Sequence, residues 1–324
     1  MTTVVVTMPG GVVDHRRPAR WRVPGVLTGG VPAGRFAPSP TGDLHVGNLR
    51  TALIAWLCAR STNSRFVLRF EDLDRVTSRD TFRTSQAGDL AALGIDWDGA
   101  PLVQSDRFDA HHDAIEALIR TGRTFECFCT RREIAEAAEA PNGIPATSRL
   151  YPGTCRTLTT RQRALHLEAG RSPALRLAGA GEVRTVNDRL RGRSQHLVDD
   201  VVLRRNDGVP AYNLAVVVDD DFQGVQEVVR ADDLLSSSAP QMVIAELLGL
   251  ALCSYVHVPL VVNRFGQRLA KRDGAVTLAE LQRGGLTATD VRNVLTDSLA
   301  PALASGVFVV RSIPSEPWTF RTGE

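Results

Sequence analysis

Apolar and polar positions first fall into a regular period near Ala33. Arg35-Phe36-Ala37 reads as a short strand that runs into Pro38-Ser39-Pro40-Thr41-Gly42, after which Leu49, Leu53, Trp56 and Leu57 recur at helical spacing. Phe66-Val67-Leu68-Arg69-Phe70 reads as a second strand, and residues 81–93 again carry a helical pattern. Strand, helix, strand, helix is the opening of a parallel sheet, so the spacing predicts an α/β fold. A further helix is expected over residues 108–122. The pattern is then broken by Cys127-Phe128-Cys129, a Pro/Gly/Ser-containing stretch and the segment from Tyr151 to Cys155, which together read as an inserted subdomain.

Apolar runs resume at Val198–Leu203 and Leu214–Val218. A helix is expected over Ala239–Leu250, and Val258–Val262 reads as a buried strand that completes the sheet. Two short helical patterns, 277–283 and 287–299, precede a Pro-rich end. No internal repeat is visible. Residues 1–32 are expected to form a disordered extension. Its arginines at 16, 17, 20 and 22 follow an apolar start, the reverse of the order in a secretory signal peptide.

The chain has 324 residues, 43% hydrophobic and 23% charged, enough for one large core or two smaller ones. With no run of about eighteen apolar residues, a membrane-spanning helix is not expected. Five cysteines without a secretory leader point to a reduced, cytoplasmic setting rather than a disulfide scaffold. A net charge of only +2 means that contact with nucleic acid must come from local clustering. Arg184, Arg189, Arg191, Arg193, Arg204 and Arg205 form such a cluster, which on charge alone reads as a solvated face.

The chemistry-bearing string is RFAPSPTGDLHVGN, from Arg35 to Asn48. Its prolines and glycine bend the chain between a strand and a helix N-terminus, where free N–H groups and partial positive charge suit phosphates. His45 and Asn48 are three apart and can share a helix face, and Gly47 would let a flat base approach the backbone. The string resembles the first signature of class I aminoacyl-tRNA synthetases, HVGN standing for HIGH, and its lead is similar to the glutamyl branch. Arg268-Leu269-Ala270-Lys271-Arg272 is a degenerate copy of the second signature, KMSKS, with Arg268 for the first lysine and Ala270 for a serine. Lys271 is the only lysine in the chain. In a sequence that otherwise uses arginine for its cations, a retained ammonium marks a site where a compact, flexible charge is needed. Lys271 and His45 would stabilise charge developing on ATP phosphates as a carboxylate attacks. Catalytic roles are therefore expected for His45, Asn48 and Lys271, and ATP contacts for His45, Gly47, Asn48, Arg268 and Lys271.

A glutamate pocket needs cations for a carboxylate and an anion for the amine. The resemblance implies that Arg35, Ala37 and Ser39 line it, that Glu71 contacts the substrate, and that Tyr212 and Arg230 complete it. Taken singly, Glu71 reads equally as a cap or surface acid, Tyr212 as a buried ring, and Arg230 as a partner of Asp232 or Asp233. Cys127, Cys129 and Cys155 supply three thiolates for a structural zinc. The resemblance makes Tyr151 the fourth ligand, with His111 or His112 as substitutes. Cys58 and Cys253, in apolar helical patterns, read as buried thiols.

The resemblance covers about residues 33–275. It implies a Rossmann-like catalytic domain in two halves (33–110 and 191–262), a zinc-containing acceptor insertion (111–190), and a KMSKS-like loop with a short helical C-terminal region (263–324). The expected partners are ATP with magnesium, L-glutamate and a tRNA, and the protein is expected to act as a monomer, without a membrane. Only about fifty residues follow Lys271, short of a helical anticodon-reading region. This plan resembles the shortened branch of the family, which transfers glutamate to the queuosine base of tRNA(Asp). A fragment charging a tRNA 3′ end and a non-catalytic paralogue binding tRNA or glutamate are the alternatives.

Overall fold

The computed structural model describes residues 31–138, 150–179, 181–263, 265–267, 269 and 276–320. The expected extension over 1–32 therefore lies almost wholly outside the described residues, as does the stretch from 139 to 149.

The chain enters the fold through β1 (Ala33–Phe36), α1 (Val46–Ser61), β2 (Arg65–Phe70), α2 (Asp80–Ala92) and β3 (Leu102–Val103). Next come α3 (Phe108–Arg120), β4 (Thr124–Cys127), α4 (Arg131–Ala138), α5 (Thr160–Glu168) and β5 (Ala174–Leu177). A hairpin of β6 (Val183–Asp188) and β7 (Gly192–Leu197) leads to β8 (Val202–Arg204), α6 (Tyr212–Gln223) and β9 (Val225–Ala231). The remainder is α7 (Ser238–Leu247), β10 (Ser254–Val258), β11 (Val261–Val262), α8 (Leu278–Arg283), α9 (Ala288–Asp297), α10 (Ala300–Leu303) and β12 (Trp318–Thr319).

Among the described residues, seven strands form the main sheet in the order β3-β2-β1-β9-β10-β6-β7. All neighbours run parallel except the terminal β6–β7 pair. The order reverses between β1 and β9. The loops that leave these two strands part in opposite directions and open a crevice at their C-terminal ends, the usual ligand position in an open parallel sheet.

Helix α1 buries more than the predicted stripe. Leu49 and Leu53 are joined in the core by Val46, Ala52, Ile54, Ala55, Cys58 and Ala59, because β1 and β9 cover one side and the C-terminal helices the other. The helix lies close on β1 at Gly34, where a Cβ would stand 3.2 Å from that of Ala59. A second core joins α3, β5, β8, α6 and α7 through residues such as Ile115, Leu177, Leu203, Leu214 and Val243.

The apolar run Leu214–Val218 lies within helix α6, and one local reading is corrected: Val258–Val262 is interrupted. Pro259 has no N–H to continue the ladder, so β10 ends at Val258 and Val261–Val262 pairs instead with Trp318–Thr319. The Pro-rich end thus closes back on the fold. Residue 190 lies in the turn of the β6–β7 hairpin, and the strands on both sides of it belong to the main sheet, while β4, β5 and β8 form a separate antiparallel one.

Candidate active site

A cavity of about 470 Å³ occupies the crevice at the strand-order reversal. Arg35, Ala37, Ser39 and Glu71 line it from the β1 and β2 side, and Tyr212 and Arg230 from α6 and β9. His45 and Asn48, from the head of α1, line the same cavity. The proposed amino-acid residues are therefore brought together with His45 and Asn48, while Gly47 is not among the lining residues.

The turn from Pro38 to Gly42 is held by groups outside it. The buried Gln86 amide donates to the carbonyls of Ser39 (3.1 Å) and Gly42 (2.7 Å), and the Glu71 and Arg79 amides donate to those of Pro38 and Pro40. At its end His45 is the N-cap of α1. Its Nδ1 accepts from the amides of Gly47 (3.0 Å) and Asn48 (3.3 Å), while Asn48 Oδ1 accepts from the His45 amide. An accepting Nδ1 puts the proton of the neutral ring on Nε2, which makes that nitrogen a donor.

A Cβ at Gly47 would lie 2.8 Å from Cε1 and 3.0 Å from Nδ1 of His45, so a side chain there would displace the imidazole. Arg268, Ala270 and Lys271 lie outside the described residues. Their flanks border α1: the Leu269 amide bonds the Val261 carbonyl, and the Val46 amide bonds that of Val276 at 2.9 Å.

The half expected to take the amino acid rests on a buried ionic network. Arg69, fully buried near the C-terminal end of β2, donates to Asp220 (2.7 Å), Gln223 (2.9 Å) and Glu71 (3.0 Å). Arg35 lies 3.5 Å from Asp220 and donates to the Val229 carbonyl at 3.0 Å. Burial pushes the Glu71 carboxyl upward, against the opposing pull of Arg69 and Arg35. Burial, and then the nearby Glu71, also raises the Tyr212 phenol. Arg230 donates through Nε to His257 Nε2 (3.0 Å), through one terminal nitrogen to Gln241 (2.9 Å) and through the other to Ser238 (2.8 Å). Its neighbour Asp232 pairs with Arg191.

None of Arg69, Gln86, Asp188, Asp220, Ser238, Gln241 and His257 was a sequence candidate. Two carry a signal. Arg69 interrupts an otherwise apolar strand, and Asp219-Asp220 directly follows the apolar run of α6.

The cysteine cluster lies at the end of β4. Donor atoms of Cys127, Cys129 and Cys155 all fall within 4.8 Å of one another, and the Sγ atoms of Cys129 and Cys155 are 3.4 Å apart. The Tyr151 hydroxyl stands 3.3 Å from Cys127 Sγ and 3.6 Å from Cys129 Sγ. Three thiols and a phenol at these spacings match the donor set and size of a tetrahedral soft-metal site, so the cluster can hold a metal. His111 and His112 are engaged elsewhere: His111 bonds Asp219 at 3.0 Å in the core, and His112 the Gly208 carbonyl. Of the surface arginines, Arg184 pairs with Glu182 and Glu246, Arg189 with Glu227 and Arg205 with Asp207. No helix among the described residues is long and apolar enough to cross a membrane.

The parallel sheet, the capped signature helix and the cradle at the switch point together define a class I synthetase catalytic domain. The domain described as "tRNA synthetases class I (E and Q), catalytic domain" matches residues 33–296. The chain is 54% identical over 291 residues to the glutamyl-Q tRNA(Asp) synthetase of Nocardia farcinica, across 88% of this chain and 92% of that protein. It is 50% identical over 290 residues to the protein of that name from Cutibacterium acnes, across 89% of this chain and 82% of the relative. The chain belongs to the glutamyl-Q tRNA(Asp) synthetase family. A crystal structure of a glutamate tRNA ligase from Elizabethkingia meningosepticum shares the fold, with a TM-score of 0.74 at 24% identity over 90% of this chain and 67% of that one.

Proposed function

We propose that this chain activates L-glutamate with ATP and transfers the glutamyl group to the queuosine base of tRNA(Asp). The observation that carries the proposal is the single cavity in which Arg35, Glu71, Tyr212 and Arg230 meet the His45-capped end of α1. In this reading Arg35 and Arg230 hold the side-chain carboxylate, and Glu71, kept in place by Arg69, takes the ammonium. Ala37 and Ser39 line the substrate. The α-carboxylate is left facing the head of α1. There an oxygen of the carboxylate attacks the α-phosphorus of ATP, the bond to pyrophosphate breaks, and glutamyl-adenylate forms. His45, Asn48 and Lys271 supply donors for the charge that develops on phosphate, and Gly47 and Arg268 complete the nucleotide contacts. A hydroxyl of the queuosine cyclopentene ring then attacks the acyl carbon and AMP leaves. Magnesium accompanies ATP and neutralises its phosphates.

Cys127, Cys129, Tyr151 and Cys155 would hold a structural zinc that fixes the insertion. High identity to relatives named for tRNA(Asp) supports the choice of acceptor. The protein acts as a monomer in the cytoplasm.

Glutamate-dependent ATP–pyrophosphate exchange tests activation. Wild-type protein should exchange and Lys271→Ala should lose the activity; absence of exchange in the wild type would sink the proposal. Transfer of labelled glutamate should be seen on queuosine-bearing tRNA(Asp) and not on the same tRNA without queuosine. Labelling of tRNA(Glu) alone would reassign the acceptor to a tRNA 3′ end.

A further inference from the structure

Arg230 is not simply buried beside the cavity; its orientation is fixed from behind. Of its five N–H groups, three are spent on His257, Gln241 and Ser238. That leaves one on each terminal nitrogen, the number a carboxylate can take in a paired grip. The Nε bond determines the rotation of the guanidinium plane, and its acceptor is an imidazole that must be neutral to accept.

Burial and the Arg230 charge oppose protonation of that imidazole, and Asp188 fixes its tautomer. His257, fully buried in β10, places Nδ1 2.7 Å from Asp188 Oδ2 at the end of β6, and its own amide donates to the same oxygen at 2.9 Å. The other Asp188 oxygen accepts from the amides of Leu190 and Arg191 at 2.8 and 2.7 Å, so this carboxylate also closes the hairpin turn. With Nδ1–H given to a carboxylate, Nε2 carries the lone pair and faces Arg230. Tyr255 stacks on the ring at 5.7 Å between centroids, Ser238 Oγ lies 3.4 Å from Nε2, and the Asp232 charge acts on it from the next loop.

We infer that Asp188 and His257 form a positioning relay that aims Arg230 at the side-chain carboxylate of the amino acid, making them specificity-determining residues behind the pocket. This rests on the glutamate reading above. In that reading the relay has no part in phosphate chemistry and contributes to glutamate binding alone.

The two ring nitrogens can be separated by amide substitution. In His257→Asn the amide can satisfy Asp188 but no longer reaches Arg230, whereas in His257→Gln it can present an oxygen to Arg230 Nε. Exchange kinetics on both variants, with glutamate and ATP varied in turn, test the relay. His257→Asn should raise the KM for glutamate about ten-fold, from a donor left without its acceptor. The KM for ATP and kcat should stay within about two-fold, and discrimination against glutamine should fall. His257→Gln should recover most of the loss. A merely structural role would lower kcat and melting temperature in both variants with KM for glutamate unchanged, and that result would overturn the relay. Absence of glutamate-dependent exchange in the wild type would instead bring down the glutamate reading and the relay with it, so the two failures are distinct.

Discussion

Gly47→Ala is expected to damage adenylation while leaving the fold nearly as stable. The added Cβ would meet His45 Cε1 at 2.8 Å and Nδ1 at 3.0 Å, with Val261 Cβ behind it at 3.5 Å. Carbon atoms pack at about 3.5–4.0 Å, so the ring must move by roughly 0.7 Å or change rotamer. Either movement breaks the two bonds by which Nδ1 caps α1. Losing an N-cap costs about 1 kcal/mol, but alanine in place of glycine in a helix returns up to about 1 kcal/mol. These nearly cancel, and the melting temperature should shift by no more than a few degrees. The catalytic effect has no such compensation. A misplacement of this order costs about 10²-fold when a group must meet developing charge, so pyrophosphate exchange should drop by about two orders of magnitude. His45→Asn is the matched control: asparagine caps well but carries no imidazole, and exchange should fall with stability preserved. Exchange by Gly47→Ala within about three-fold of wild type, at an unchanged melting temperature, would refute the view that Gly47 exists to seat the His45 ring.

Arg69→Met should destabilise the protein by about 3–5 kcal/mol in denaturant titration, because it leaves the buried Glu71 carboxylate without its paired cation and Asp220 with Arg35 alone; a loss under about 1 kcal/mol would show that the network is not under that constraint. Burial, together with the Arg230 charge, lowers His257 below its ordinary value of 6.5 despite Asp188. The unfolded chain therefore binds this proton first as pH falls, and stability should decline from about pH 6.5 downward until the folded value is passed. The difference in denaturation midpoint between wild type and His257→Gln, followed from pH 8 to pH 5, isolates that slope, and parallel curves would count against it. A zinc chelator, or Cys155→Ser, should release metal measurable by a colorimetric indicator and raise protease sensitivity around residues 127–155, with the parallel-sheet core still folded; an unchanged cleavage pattern would remove zinc from the structural account.

The two ends of the cavity differ in how far the sequence exposes them, and the reason is physical. The end proposed for the nucleotide is built, apart from residues 268–272, on one strand, one turn and one helix start in fourteen consecutive residues. Local rules about proline, glycine and helix ends therefore reach it directly. Even there one device escaped, because histidine is not among the residues that ordinarily cap helices, and its capping role emerges only from the Nδ1 geometry. The end proposed for the carboxylate is assembled from β1, β2, α6, β9, α7, β10 and β6. Arg35, Glu71, Tyr212 and Arg230 could be named only through resemblance, and the groups that aim them could not be named at all. Asp188 in a surface-looking hairpin and His257 in an apolar strand have nothing in their local sequence to connect them.

That distribution has a consequence for how the fold supports selectivity. In the proposed reading the phosphate end takes its shape from one short stretch of chain and its charge stabilisation from His45, Asn48 and Lys271; the alanine and arginine at 270 and 268 test how far the neighbouring side chains can vary. A carboxylate that must be told from an amide needs cations whose direction is fixed, and a long guanidinium is fixed only by other buried polar groups. Each such group needs partners in turn, which is why the network runs from Arg69 through Asp220 to Arg35 on one side and from Arg230 through His257 to Asp188 on the other. Asp188 also closes the β6–β7 turn through the Leu190 and Arg191 amides, which ties that hairpin through His257 to Arg230.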